Sequence, residues 1–298
     1  MTCRFSFLAI CLALSVSVAC GGDDRRPAGR DGGTGGGDAA PDVAFPLDAG
    51  PRVDVGPIRD SGPALPAVVW AHSGRELFRF DPLTNRVTSV GILNTTEDDV
   101  GDFFSMTDVA VRSDGALFGL GRGRVWRIDT ETARCTTVVM EVQGTAMSFV
   151  PAGEIGDQEE LIVGYEDSND RAKLARVDLV AGTVVDLATF SGDCETSGDI
   201  ASISGLGTFI TLRCANDESQ DFLATIDVMT ATISIIGPTG VRGIWGLGFW
   251  AGVFYGFTNS GELVEIDAST GASTIIANEL GAEDGFWGAG VTTEAPLI

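Results

Sequence analysis

Carboxylates are the chemistry this chain has in abundance. Its 42 Asp and Glu face 19 Lys and Arg, a net charge of −23. Many of them fall in five stretches: Glu97, Asp98, Asp99 and Asp102; Glu166, Asp167 and Asp170; Asp193 and Glu195; Asp217, Glu218 and Asp221; and Glu283 with Asp284. A carboxylate pair flanking a glycosidic bond can hydrolyse it, and several oxygens together can hold Ca²⁺. No spacing here selects a catalytic pair, and no stretch has the spaced pattern of a calcium loop, so the clusters read first as a solvated acidic face. Such a face repels phosphate backbones and anionic membranes, which argues against a nucleic-acid partner. The single histidine, His72, has no GxSxG motif to serve and reads as a surface residue. No CxxC or Cys-His spacing supports a zinc site.

The other chemistry is aromatic. Trp245 and Trp287 sit in parallel contexts, Ile244-Trp245-Gly246-Leu247-Gly248 and Phe286-Trp287-Gly288-Ala289-Gly290. Two indoles with small neighbours could stack on a sugar or an apolar side chain, with Arg242 and Asp284 as the nearest polar partners. The alternative is that both rings pack between structural elements.

The elements that must position these residues are repeats. Leu263 to Ile276 alternates apolar and polar residues up to Asp267, turns, and resumes with the β-branched run Thr274-Ile275-Ile276. Variants centre on Asp81, Asp129, Asp178 and Asp227, so the aspartates are 48, 49, 49 and 40 residues apart. Each copy is strand, turn, strand. The aspartates accept turn amides, while Asn85, Gly182 and Gly271 suit a left-handed residue. Ala133 and Ala231 replace that residue twice, which predicts a different turn shape there. Repeats of 40 to 50 residues made of short strands predict a β-propeller with one four-stranded blade per repeat.

The first repeat starts at the second strand of a blade, Val68 to Ala71, and the chain ends with an unpaired first strand, Phe286 to Val291. The fold class is therefore all-β: a five-bladed propeller over residues 67–298, closed by its C-terminal strand. Binding is expected at the face that carries the acidic stretches. Cys194 and Cys214 fall at neighbouring ends of one predicted hairpin and are expected to form a disulfide, leaving Cys135 free.

The amino terminus gives an address. Residues 1–19 have a basic start and a short apolar core, too short to span a bilayer, and read as a signal peptide. Ser17-Val18-Ala19-Cys20 resembles the lipobox of bacterial lipoproteins, which implies acylation of Cys20; Gly21-Gly22 lacks the aspartate that favours inner-membrane retention, so the resemblance points to the outer membrane or cell surface. Residues 20–66 are rich in Gly, Pro and Asp, read as disordered, and would act as a tether spanning on the order of 35 to 40 Å.

Asp267-Ala268-Ser269-Thr270-Gly271 is similar to the core of quinoprotein-type propeller repeats. The docking tryptophan of that pattern is missing from every copy, so the resemblance implies the fold and not the quinone. The expectation is an exported, lipid-anchored propeller serving as a non-catalytic binding or scaffold module for a protein or glycan. The alternatives are a carboxylate-dependent glycoside hydrolase of the cell envelope and a purely structural envelope lipoprotein. No cofactor is expected, with Ca²⁺ the one cation the acidic loops could take.

Overall fold

The computed structural model describes residues 67–298 other than 100–104, 170, 191–193, 279 and 283. The signal segment, Cys20, the linker to residue 66, Asp102, Asp170, Asp193 and Glu283 lie outside the described residues. Three strands open the described chain: β1 (Val69–His72), β2 (Glu76–Asp81) and β3 (Arg86–Ile92). Three sets of four follow: β4 (Asp108–Val111), β5 (Leu117–Gly121), β6 (Arg124–Ile128) and β7 (Cys135–Met140); β8 (Ala146–Val150), β9 (Glu160–Glu166), β10 (Ala172–Asp178) and β11 (Thr183–Thr189); β12 (Cys194–Ile203), β13 (Gly207–Cys214), β14 (Asp217–Asp227) and β15 (Thr232–Pro238). A last set holds β16 (Ile244–Trp250), β17 (Val253–Thr258), β18 (Leu263–Asp267) and β19 (Ser273–Ala277), and β20 (Gly288–Gly290) stands at the end.

Each set is one antiparallel sheet in chain order, and β20 completes the first as β20-β1-β2-β3, giving five four-stranded sheets. This is the five-bladed propeller with C-terminal closure. The closing register sets Trp70, Ala71 and His72 opposite Gly290, Ala289 and Gly288. Three residues of pairing are a short clasp, and apolar packing reinforces it. Phe286 packs edge-on against Phe78 of the first blade at 5.5 Å and Phe257 of the last at 5.2 Å. Phe80 likewise meets Tyr255 at 4.9 Å, and Phe118 meets Phe149 between the second and third blades at 5.3 Å. Aromatic rings thus fill the first–last and second–third junctions, whereas Leu77, Met106, Val109 and Trp126 pack between the first and second blades and Ile162, Leu174, Ile200 and Leu212 between the third and fourth.

Beyond β20 the chain crosses one end of the axis. Val111 bridges Thr292, Ser204 N–H donates to Thr293 O at 2.8 Å, Thr293 Oγ1 donates to Glu159 at 2.7 Å, and Ala251 N–H donates to Pro296 O at 2.8 Å. Residues 292–296 therefore tie to the second, third, fourth and fifth blades and cover that end.

Candidate functional site

The five repeat aspartates are turn formers. Asp267 Oδ1 accepts the amides of Ser269 and Thr270, each at 2.9 Å; Asp129, Asp178 and Asp227 accept the equivalent two, and Asp81 accepts Leu83 N–H. The turns at Ala133 and Ala231 do not differ in shape, contrary to the sequence expectation. Both alanines take the left-handed conformation, at φ 54° and 52°, like Gly182 at 68° and Gly271 at 77°. Both methyls are fully buried, so packing offsets the backbone cost that glycine avoids.

A second set of carboxylates lies on the axis. The innermost strand of each blade has no neighbour on its axial side, so its inward N–H groups need partners. Asp108 accepts Val109 N–H at 2.8 Å and Met147 N–H at 2.5 Å. Asp199 accepts Ile200 N–H at 2.6 Å, Leu247 N–H at 2.5 Å and Ala289 N–H at 3.0 Å. These amides come from β4, β8, β12, β16 and β20, one from each blade. The residues before them are Asp108, Ala146, Asp199, Gly246 and Gly288: two carboxylates among three residues too small to fill the centre. A Cβ on Gly288 would collide with Asp108 Oδ1 and His72 Nε2.

Both carboxyls are fully buried. Loss of water raises the pKa of each well above the ordinary range, and the charge of Asp199 raises that of Asp108 further. The two carboxyls are close enough to influence each other, and burial disfavours a charge on either. His72 is beside them, not on the surface as the sequence implied, because β20 and β2 enclose β1. Burial pushes its pKa down to about 4, and Nδ1 lies 2.7 Å from the Ser73 carbonyl. That contact makes Nδ1 the protonated nitrogen and Nε2, which has no hydrogen-bond partner among the described residues, an acceptor.

One residue above the carboxylates, the end of the axis opposite residues 292–296 opens into a cleft of about 310 Å³. It is lined by Thr107, Thr145, Glu166, Thr196, Ser197, Gly198, Arg213, Trp245 and Trp287. Every innermost strand, or the residue entering it, contributes. Trp245 and Trp287 are half-buried, with centroids 6.2 Å apart and planes at 88°. The backbones converge tightly here: a Cβ on Gly198 would stand 2.7 Å from the Trp245 Cα. Beneath the rim, Asp221 accepts Ser197 Oγ–H at 2.5 Å and Ile244 N–H at 2.7 Å, and burial raises its pKa.

The structure thus brings Trp245 and Trp287 together at the mouth, edge-to-face across the junction of the neighbouring fifth and first blades. It leaves Arg242 and Asp284 exposed and outside the cleft lining, although the Asp284 carbonyl accepts Trp287 Nε1–H at 3.3 Å. The charged lining groups are instead Glu166, at the end of β9, and Arg213, near the end of β13. Cys194 and Cys214 are joined by a disulfide beside that Arg213, and Cys135 is a buried free thiol.

Several acidic-loop carboxylates pair with cations: Glu97 and Asp99 with Arg124, Asp167 with Arg171, and Glu195 with Arg213. Among the described residues no group of three or more His, Cys, Asp or Glu is placed to hold a metal ion.

No family model matches the chain, and no curated protein matches its sequence. Among solved structures, a protein of unknown function from Bacteroides caccae is similar at 11% identity and a TM-score of 0.45, over 76% of this chain and 98% of that one. TolB from Acinetobacter baumannii is similar at 15% identity and a TM-score of 0.44, over 75% of this chain and 53% of that one. A periplasmic gluconolactonase from Pseudomonas aeruginosa is similar at 14% identity and a TM-score of 0.35, over 70% of this chain and 67% of that one. No activity passes from these proteins to this chain.

Proposed function

We propose that the chain is an exported binding module, anchored through an acylated Cys20 and tethered by residues 20–66, whose axial cleft takes a neutral or cationic group of a protein or glycan at the outer membrane or cell surface. The carrying observation is the convergence of Trp245 and Trp287 at right angles in one cleft with hydroxyls of Thr107, Thr145 and Ser197. Rigid aromatic surface with a few polar groups suits sugars and apolar side chains. Glu166 is the one carboxylate among the lining residues, and Asp108 and Asp199 are sealed below. A hydrolase's facing pair of carboxylates is not presented there.

Titration with solubilised cell-wall glycans and envelope proteins, followed by calorimetry, tests the proposal. Trp287→Ala should weaken binding of whichever partner is found by about 30-fold, as for a central aromatic anchor, with little change in melting temperature. Unchanged affinity in a stable variant, or release of reducing sugar by the wild type, would end it. Cys20→Ser should move the protein from membranes to the soluble fraction.

A further inference from the structure

The groups around the cleft narrow the class of ligand, on the premise that binding occurs at Trp245 and Trp287. The two indoles form a corner, with planes at 88°. The six-membered ring of Trp287 lies over Gly74, where an added Cβ would be only 3.4 Å from it, so that ring is backed by main chain. Indole faces carry negative quadrupole density and attract cations.

The charged groups have the same bias. Glu166 lines the cleft and makes no ion pair among the described residues. Arg213, the one cation of the lining, is bonded to Glu195 at 2.9 Å and lies close enough to Asp221 to stabilise its charge. The remaining lining groups are hydroxyls and backbone, which tolerate a donor.

We infer that the cleft takes an alkylammonium group, its carbons against Trp245 and Trp287 and its charge toward Glu166. Two sources share this chemistry, a lysine side chain and a trimethylammonium headgroup. A neutral sugar would gain nothing from the charge of Glu166. An anion would face Glu166.

The test is intrinsic tryptophan fluorescence of the mature protein at constant ionic strength, titrated with choline, with N-acetyl-lysine methylamide, and with 3,3-dimethyl-1-butanol, the uncharged isostere of choline. At least one cation should bind about tenfold more tightly than the isostere, and the tighter cation identifies the source. Glu166→Gln should lower that affinity about tenfold at unchanged melting temperature, and Trp287→Ala should abolish the fluorescence response. Equal affinity for the isostere, or full affinity in Glu166→Gln, overturns the ammonium class. A cell-wall glycan that binds while both cations fail also overturns it but leaves the binding-module proposal standing. Silence from every compound, with Trp287→Ala unaltered in partner binding, removes both.

Discussion

The five repeat aspartates and the two axial ones all accept backbone amides, and the two environments in which they do so have opposite electrostatics. The five in the outer turns are bathed in water. Local hydroxyl and amide donors hold the pKa of Asp267 down to about 2, and similar donors lower those of Asp129, Asp178 and Asp227. The two on the axis accept amides just as well, yet burial raises both, because desolvation outweighs the hydrogen bonds. The same bond is therefore a local turn device outside and an element of global closure inside.

Asp199→Asn should separate the two environments most sharply. The replacement puts an N–H₂ where Oδ2 accepts amides from the last blade and the first, and a cost of about 1–3 kcal/mol is expected for each of the two amides left unsatisfied, measured by urea unfolding. A cost no larger than at an outer turn would erase the distinction. The Cys194–Cys214 disulfide provides a covalent yardstick: it closes a 20-residue separation, and Cys214→Ser should cost about 3 kcal/mol by loop entropy. Peptide mapping that finds Cys135 bridged would remove that comparison.

Asp108→Asn should be milder, about 1–3 kcal/mol, because an amide can still donate to Asp199 while losing one acceptor. Its pH dependence carries the sharper test. The folded pKa of Asp108 lies above the unfolded one, so folding takes up a proton; the stability this contributes is complete below pH ~4 and falls by about 1.4 kcal/mol per pH unit as pH rises toward the folded value. Asn has no such slope. The measured penalty of Asp108→Asn should therefore shrink between about pH 5 and 8. His72 works in the other direction, since its lowered pKa makes stability fall as pH drops from 6.5 to about 4, but it is common to both proteins and cancels. A pH-independent penalty would mean that folding does not raise the Asp108 pKa.

The smallest effect belongs to Asp267→Ala. Its carboxylate is exposed and water replaces it as acceptor, so the melting temperature should fall less than for Asp108→Asn. The loss should appear only as pH rises above its ordinary ionisation range, because the depressed pKa favours the folded state there and that advantage is gone below about pH 2.

The outer aspartates were legible in sequence because a turn is a local event: Asp, two amides and a left-handed residue lie within a few positions. Ala133 and Ala231 escaped that logic only because burial of their methyls is non-local. The axial pair left a trace, Asp108-Val109-Ala110 and Asp199-Ile200-Ala201, a carboxylate placed identically in two otherwise apolar inner strands. Reading it would have required knowing that both point at one axis. The glycines beside Trp245 and Trp287 did mark the mouth. Glu166 and Arg213 did not announce themselves, since strand ends in two different blades meet there only after the ring has formed. The burial of His72 likewise depends on a strand more than two hundred residues away.

The wiring of Asp199 has a consequence for the order in which the molecule can be completed. Its amide partners come from β12's own blade, from β16, and from β20 near the end of the sequence. A chain emerging from its amino terminus can assemble the second, third and fourth blades, yet it holds a buried carboxyl with partners still unmade until Ala289 arrives. Stacked-repeat proteins gain stability almost additively, one unit at a time. Here the hub makes every blade wait for the last strand, so partial products should be protease-sensitive and folding should be all-or-none across five repeats.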